Sequence, residues 1–319
     1  MFESLKNKKR SIILDTDIGP DCDDVGALAV MFSYAKENDT RVLGVCNCTS
    51  NKYGTATVDA IREYCEFPEF ALGGYSKSGF YEDSIRYNKY ISETYSTKFK
   101  SSALDVLPHV DFYRSLLAKA EDDSVILVTI GMFNTFSDFL KSGADGYSDL
   151  TGIELAKRKL HAVVSMAAIL PAGREFNVIC DCEAAQYCFD NCPVPMYLSD
   201  FKIGDTVYTG YLPEEADKHK NNPIFDAYQL YTASFGRVGF NKSFDLTAMQ
   251  FAFEGEGELY SLGKCGRLEF FNEAPDRFPN ADATRFVERE GGNIRFMIKK
   301  ASNEAIAASL QARMDQFNK

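Results

Sequence analysis

The chain has 319 residues and a formal net charge of −11. That acidity argues against a nucleic-acid backbone or an anionic membrane surface as partner. No apolar run approaches the roughly 20 residues of a membrane span. The 45% hydrophobic content supplies an ample core, and no low-complexity linker or internal repeat divides the chain, so residues 1–319 read as one large domain. The polar N-terminus lacks the apolar core and small-residue cleavage site of an export signal, and the odd count of nine cysteines fits reduced thiols. The expected location is the cytoplasm. Cys46/Cys48 and Cys180/Cys182 form C-x-C pairs, but His109, His161 and His219 stand in no zinc-ligand spacing with them.

Apolar, β-rich runs alternate with helical patterns. Residues 11–16 (SIILDT) read as a buried strand and 23–37 as a helix with Val25, Leu28, Ala29 and Phe32 at helical spacing. A strand at 41–49, a helix at 54–66 and a short strand ending in glycines at 70–74 follow. A helix from about 110 precedes a strand at 124–130 and a second helix at 132–142. Strand, helix and strand continue at 160–168, 182–191 and 194–200. This alternation predicts an α/β fold: an open, mainly parallel sheet with helices on both faces. From about residue 222 the pattern changes to two helical stretches, three strand-like runs and a last helix carrying Ile306, Leu310 and Met314 on one face. That tail reads as a small antiparallel addition.

The densest chemistry lies at residues 15–24, DTDIGPDCDD, where Asp15, Asp17, Asp21, Asp23 and Asp24 follow a buried strand. Ligands of open α/β sheets bind outside the carboxyl ends of the strands. The helix that begins here offers free N–H groups for one or two carboxylates, with Asp23 or Asp24 as a cap, but not for five. Two carboxylates about 4 Å apart repel by about 4 kcal/mol at an effective dielectric near 20. A hard divalent cation, Ca²⁺ or Mg²⁺, is the simplest compensation for an all-oxygen cluster.

The stretch resembles the N-terminal D-x-D-P-G-x-D-D motif of the inosine–uridine-preferring nucleoside hydrolases. Ile18 replaces the proline, and two extra residues precede the final Asp pair. Further blocks follow in order: LGVCNCTSN ending at Asn51, LVTIGMFN with Thr129 and Asn134, VVSMAA with Met166, REFNVICDCEAA with Glu175 and Asn177, and SFDLTA with Asp245. Together they span about residues 11–255. The resemblance implies Ca²⁺ held by Asp17, Asp24, the Thr129 carbonyl and Asp245. It implies Asp17 as general base toward water, and Asp23, Asn51, Met166, Glu175 and Asn177 around the ribose. Asp15 would orient the loop, and Asp21 would be auxiliary. It further implies a small-molecule nucleoside substrate, hydrolysis of its N-glycosidic bond to ribose and free base, and a homo-oligomer, dimer or tetramer.

One departure concerns the leaving group. Where pyrimidine-accepting members of that family carry a histidine as acid, this chain has Phe244, so base activation by aromatic stacking is the alternative, with Tyr228, Tyr231, Phe80 and Tyr81 as further partners. Two other readings stand beside the hydrolase. One is a calcium-dependent ribosyl-binding protein or a hydrolase of a non-nucleoside ribosyl compound. The other is a phosphatase of the haloacid-dehalogenase type, which would use Asp15 as nucleophile.

Overall fold

The computed structural model describes residues 2–6, 8–82, 86–273 and 281–318. Thirteen strands run in chain order as β1 Ser11–Thr16, β2 Val42–Asn47, β3 Ala71–Gly74, β4 Leu107–Pro108, β5 Val125–Thr129, β6 Leu160–Met166, β7 Ala172–Gly173, β8 Met196–Ser199, β9 Tyr208–Gly210, β10 Phe240–Lys242, β11 Tyr260–Phe271, β12 Ala283–Glu288 and β13 Ile294–Lys299. Eleven of them form one sheet in the order β4-β3-β2-β1-β5-β6-β8-β13-β11-β12-β7. The eight strands from β4 to β13 pair in parallel. The expected antiparallel addition exists, but it extends this same sheet: β11 runs antiparallel to β13 and β12, and β7 closes the edge. β9 and β10 form a separate antiparallel pair that the sequence pattern did not reveal.

Strand alternation divides the core between the two faces of the sheet. Ile12 and Leu14 of β1, with Ile126 and Val128 of β5, pack on one side against Val25, Leu28 and Phe32 of the helix Asp23–Asn38. Ile13 and Leu127 point the other way, into a cluster with Phe112, Phe133, Phe136 and Phe139. Burial on both faces explains why these strands read as continuous apolar runs. No helix among the described residues is long and apolar enough to cross a membrane. All nine cysteines are free thiols.

The order of the strands locates the ligand-binding end. From β1 the chain moves outward to β2, β3 and β4, then returns to the other side of β1 with β5 and β6. The reversal falls between β1 and β5, and adjacent crossovers diverging there leave a crevice at the strands' carboxyl ends. Asp15 and Asp17 leave β1 at that point, and Thr129 ends β5 beside them, with Asp15 in register with Thr129.

Candidate active site

The aspartate loop is shaped by its own backbone and by a strap from a distant segment. Gly19 has φ +146°, a conformation that side-chain-bearing residues rarely adopt. Asn88 donates from Nδ2 to the Ile18 carbonyl at 2.7 Å, and the Tyr87 hydroxyl donates to the Asp21 carbonyl at 2.6 Å. Arg86 donates to the Pro20 carbonyl. Arg86, Tyr87 and Asn88 were not singled out in the sequence, because a contact across some 70 residues leaves no periodic trace. The helix Asp23–Asn38 then begins without the expected aspartate cap. Cys22 occupies the N-cap with no side-chain hydrogen bond, and Asp23 and Asp24 lie inside the first turn. Their carboxylates are engaged elsewhere: Asp23 Oδ2 accepts the Asp245 amide at 2.9 Å, and Asp24 accepts the Thr16 hydroxyl.

One oxygen from each of Asp21, Asp23, Asp24 and Asp245 lies within 4.8 Å of all the others. Asp24 and Asp245 belong to the quartet expected as metal ligands. Asp21 and Asp23 complete this cluster, whereas Asp17 lies beside it and Thr129 ends the neighbouring strand. Burial, reinforced by the neighbouring carboxylates, pushes Asp17, Asp23, Asp24 and Asp245 well above the usual carboxylate range. Asp23 Oδ1 is buried with no hydrogen-bond partner, and such an orphaned carboxylate oxygen asks for a cation. Four carboxylates and no nitrogen or sulfur donor suit a hard divalent ion.

A small cavity of about 90 Å³ opens over this cluster. Of the residues expected at the site, Asp17, Asp23, Met166, Glu175, Asn177, Phe244 and Asp245 line it. Met166 arrives at the carboxyl end of β6. Glu175 caps the short helix Phe176–Ile179: its Oε1 accepts the Asn177 amide at 2.8 Å, and its Oε2 accepts the Ala168 and Val178 amides at 3.1 and 3.2 Å. Burial still outweighs these bonds and raises its carboxyl to about 7. Asn177 ties two strand ends together, donating from Nδ2 to the carbonyls of Ile130 and Met166 at 3.2 and 3.1 Å. Phe244 stacks on Phe201 with centroids 4.9 Å apart and 29° between planes. The cavity also takes in Phe176, Phe201 and Ile130, which the sequence alone did not suggest.

Asp24, Asn51 and Thr129 do not line the cavity. Asn51 is buried after β2, where its Oδ1 accepts the Tyr53 amide at 2.9 Å. The Thr129 hydroxyl is 2.6 Å from that of Ser165. Tyr228 and Tyr231 pack into the core instead of the cavity. Tyr81 lines a neighbouring cavity of about 900 Å³, which shares Phe176 with the small one and is also walled by Arg174, Asp181, Glu183 and Asp282.

Asp15 is the most enclosed aspartate of the loop. It is fully buried and does not line the cavity. Its Oδ2 accepts the Tyr113 hydroxyl and, at 2.6 Å, the Thr135 hydroxyl. A nucleophile must reach its substrate, so this position speaks against the phosphatase reading. Burial raises the Asp15 carboxyl from 3.8 to about 7. A folded-state value above the unfolded one means stability is fully present below about pH 4 and is lost as pH rises through about 7. Asp15→Asn keeps an acceptor for both hydroxyls and removes the titration. We therefore expect it to gain on the wild type by up to about 4 kcal/mol between about pH 4 and pH 8 in denaturant unfolding. An unchanged difference at the two pH values would contradict this.

Gly131, just after β5, packs its backbone close behind Asp17. A Cβ there would sit 2.6 Å from the Asp17 backbone nitrogen and 2.8 Å from Cys48 Sγ. Gly131→Ala must shift the Asp17 backbone, and a displacement of about 1 Å costs about 10²-fold in rate. The expected result is a loss of that size in kcat, with the far-ultraviolet circular dichroism preserved.

No protein-family model matches the chain, and comparison with curated proteins finds no match. Solved structures do match. An inosine–uridine-preferring nucleoside hydrolase from Bacillus anthracis superposes with a TM-score of 0.70 at 12% identity, over 96% of this chain and 99% of that one. An inosine–guanosine nucleoside hydrolase gives 0.71 at 16% identity, with the same coverage. The type III effector protein XopQ, solved with adenosine diphosphate ribose, gives 0.64 at 11% identity, over 98% of this chain and 94% of that one. The chain therefore has the nucleoside hydrolase fold, as the motif resemblance implied.

Proposed function

We propose that this protein hydrolyses the N-glycosidic bond of a ribosyl compound in a calcium-dependent reaction, with Asp17 as general base. The observation that carries the reading is the cavity. It sets five carboxyl groups, three of them (Asp21, Asp23 and Asp245) from the carboxylate cluster and one of these with an orphaned oxygen, against an apolar wall at the switch point of a nucleoside hydrolase fold.

Asp21, Asp24 and Asp245, with an oxygen of Asp23, would hold the ion, and the Thr129 carbonyl and Asp17 complete the expected set. Calcium bound there would supply the positive charge that offsets these carboxylates and makes a water more acidic. Asp17 lines the cavity beside the cluster and takes the proton from the attacking water. Its raised proton affinity without metal comes from burial and from Asp24 and Asp21, the charges a cation would offset. Asp23, Glu175 and Asn177 surround a space of sugar size and hydrogen-bond its hydroxyls, and Met166 packs against its carbon face. Asn51, behind Gly19, supports the loop from outside the cavity. An oxocarbenium-like transition state gains from such grips when they strengthen as charge develops.

The test is discrimination at the sugar. Ribose release from a ribonucleoside panel is expected to exceed release from the 2′-deoxy counterparts by about 10⁴-fold, because buried groups built to bond a hydroxyl are left unpaired without it. Comparable rates on both sugars would refute the assignment of these residues. A ribosyl substrate larger than a nucleoside is a second reading, favoured by the 900 Å³ cavity that adjoins the first through Phe176.

A further inference from the structure

We infer that the leaving group is a cationic nitrogen heterocycle, so that the substrate class is an N-ribosylpyridinium. This rests on the ribohydrolase reading above and goes beyond it. Asp17, Asp21, Asp23, Glu175 and Asp245 line the small cavity, and no lysine, arginine or histidine does so among the described residues. The histidines are engaged elsewhere: His109 with Asp138 at 3.0 Å, His161 with Asp123 at 2.9 Å and His219 with Asn318 at 3.0 Å. Lys242, whose Nζ lies 5.9 Å from the Phe244 ring centroid, is ion-paired to Asp205. Arg174 in the neighbouring cavity lies 3.3 Å from Asp282, among Asp181 and Glu183.

A neutral base leaves as an anion unless a donor protonates it. Both Glu175 oxygens already accept backbone amides. Burial makes the Tyr81 phenol a weaker acid than usual. Among the described residues the small cavity thus has no lysine, arginine or histidine to protonate a departing base, which favours a leaving group that is cationic in the substrate and neutral on departure; the rings of Phe176, Phe201 and Phe244 also attract such a cation. A pyridinium needs no proton. Water oxygen bonds to C1′ as the C1′–N bond breaks, and the bonding pair returns to the ring nitrogen. Pyridine departs neutral, and the water proton passes to Asp17 and then to solvent, one per turnover.

The test compares N-ribosyl-3-carbamoylpyridinium with inosine and uridine on the calcium-supplemented protein. p-Nitrophenyl riboside, whose leaving group needs no acid, serves as control. The expected result is a kcat/KM for the pyridinium at least tenfold above either nucleoside, with one proton released per cleavage in unbuffered solution. N-methyl-3-carbamoylpyridinium should also inhibit cleavage of the control at least tenfold more tightly than neutral benzamide. If the control is cleaved but the pyridinium advantage or the inhibitor preference is less than tenfold, the inference is overturned and the ribohydrolase reading stands. If neither the control nor any other riboside is cleaved, both fall together.

Discussion

Asp17→Asn is expected to lower kcat by about 10³-fold or more, because general-base catalysis alone contributes about 10² to 10⁴ and the same change removes charge from the metal-binding region. The argument is local. Asp17 is 5% exposed, lines the cavity and leaves no room for a Cβ at Gly131 behind it. Asparagine is close to isosteric, so folding should survive and the loss should appear in kcat more than in KM. Asp15→Asn supplies the contrast. Asp15 lies behind the sheet end on Tyr113 and Thr135 and does not line the small cavity, so its replacement should cost less than a tenth as much activity. Near-normal turnover by Asp17→Asn would remove the assigned base, and a larger loss for Asp15→Asn would restore the phosphatase reading.

The second large effect concerns stability and its dependence on pH. Without metal, burial and mutual repulsion raise Asp17, Asp23, Asp24 and Asp245 above their unfolded-state values. For carboxyls with raised folded values, stability is present below about pH 4 and is lost as pH rises through those values. In chelator, Tm should therefore fall from about pH 5 to pH 8. Calcium competes with protons for the same oxygens, so its stabilisation should grow over that interval. It should reach about 2.7 kcal/mol when free calcium is about 100 times its dissociation constant. Scanning calorimetry at several pH values, with chelator or with calcium, measures both trends. A calcium-induced shift independent of pH would place the ion away from these carboxylates.

Much of this architecture was legible in the residues because parallel strands buried on both faces appear as short apolar runs separated by helical periods. Each run also ends where chemistry begins: β1 at Asp15 and Asp17, β5 at Thr129, β6 at Met166. The less legible features depend on contacts that no local pattern encodes. The tail strands read as antiparallel, but only the pairing of Ile294 with Met196 shows that β13 joins the parallel sheet. The two extra residues before Asp23 obscured which aspartates converge. The structure resolves this through Asp23 binding the Asp245 amide, 222 residues away in sequence. The expected cap failed because Cys22 takes the N-cap position, while Asp23 and Asp24 lie inside the first turn and bond the Asp245 amide and the Thr16 hydroxyl. Asn51 lies buried after β2, where it accepts the Tyr53 amide, and does not line the cavity.

The central claim is that the aspartate cluster and its cavity form a metal-dependent ribosyl-cleaving site. Its most direct test is p-nitrophenolate release from p-nitrophenyl riboside, followed after chelator treatment and again after calcium is restored, because this substrate reports cleavage whatever base the site prefers. The account predicts release that chelator abolishes and calcium recovers. Release unaffected by chelator, or no release from a calcium-bound protein, would contradict it.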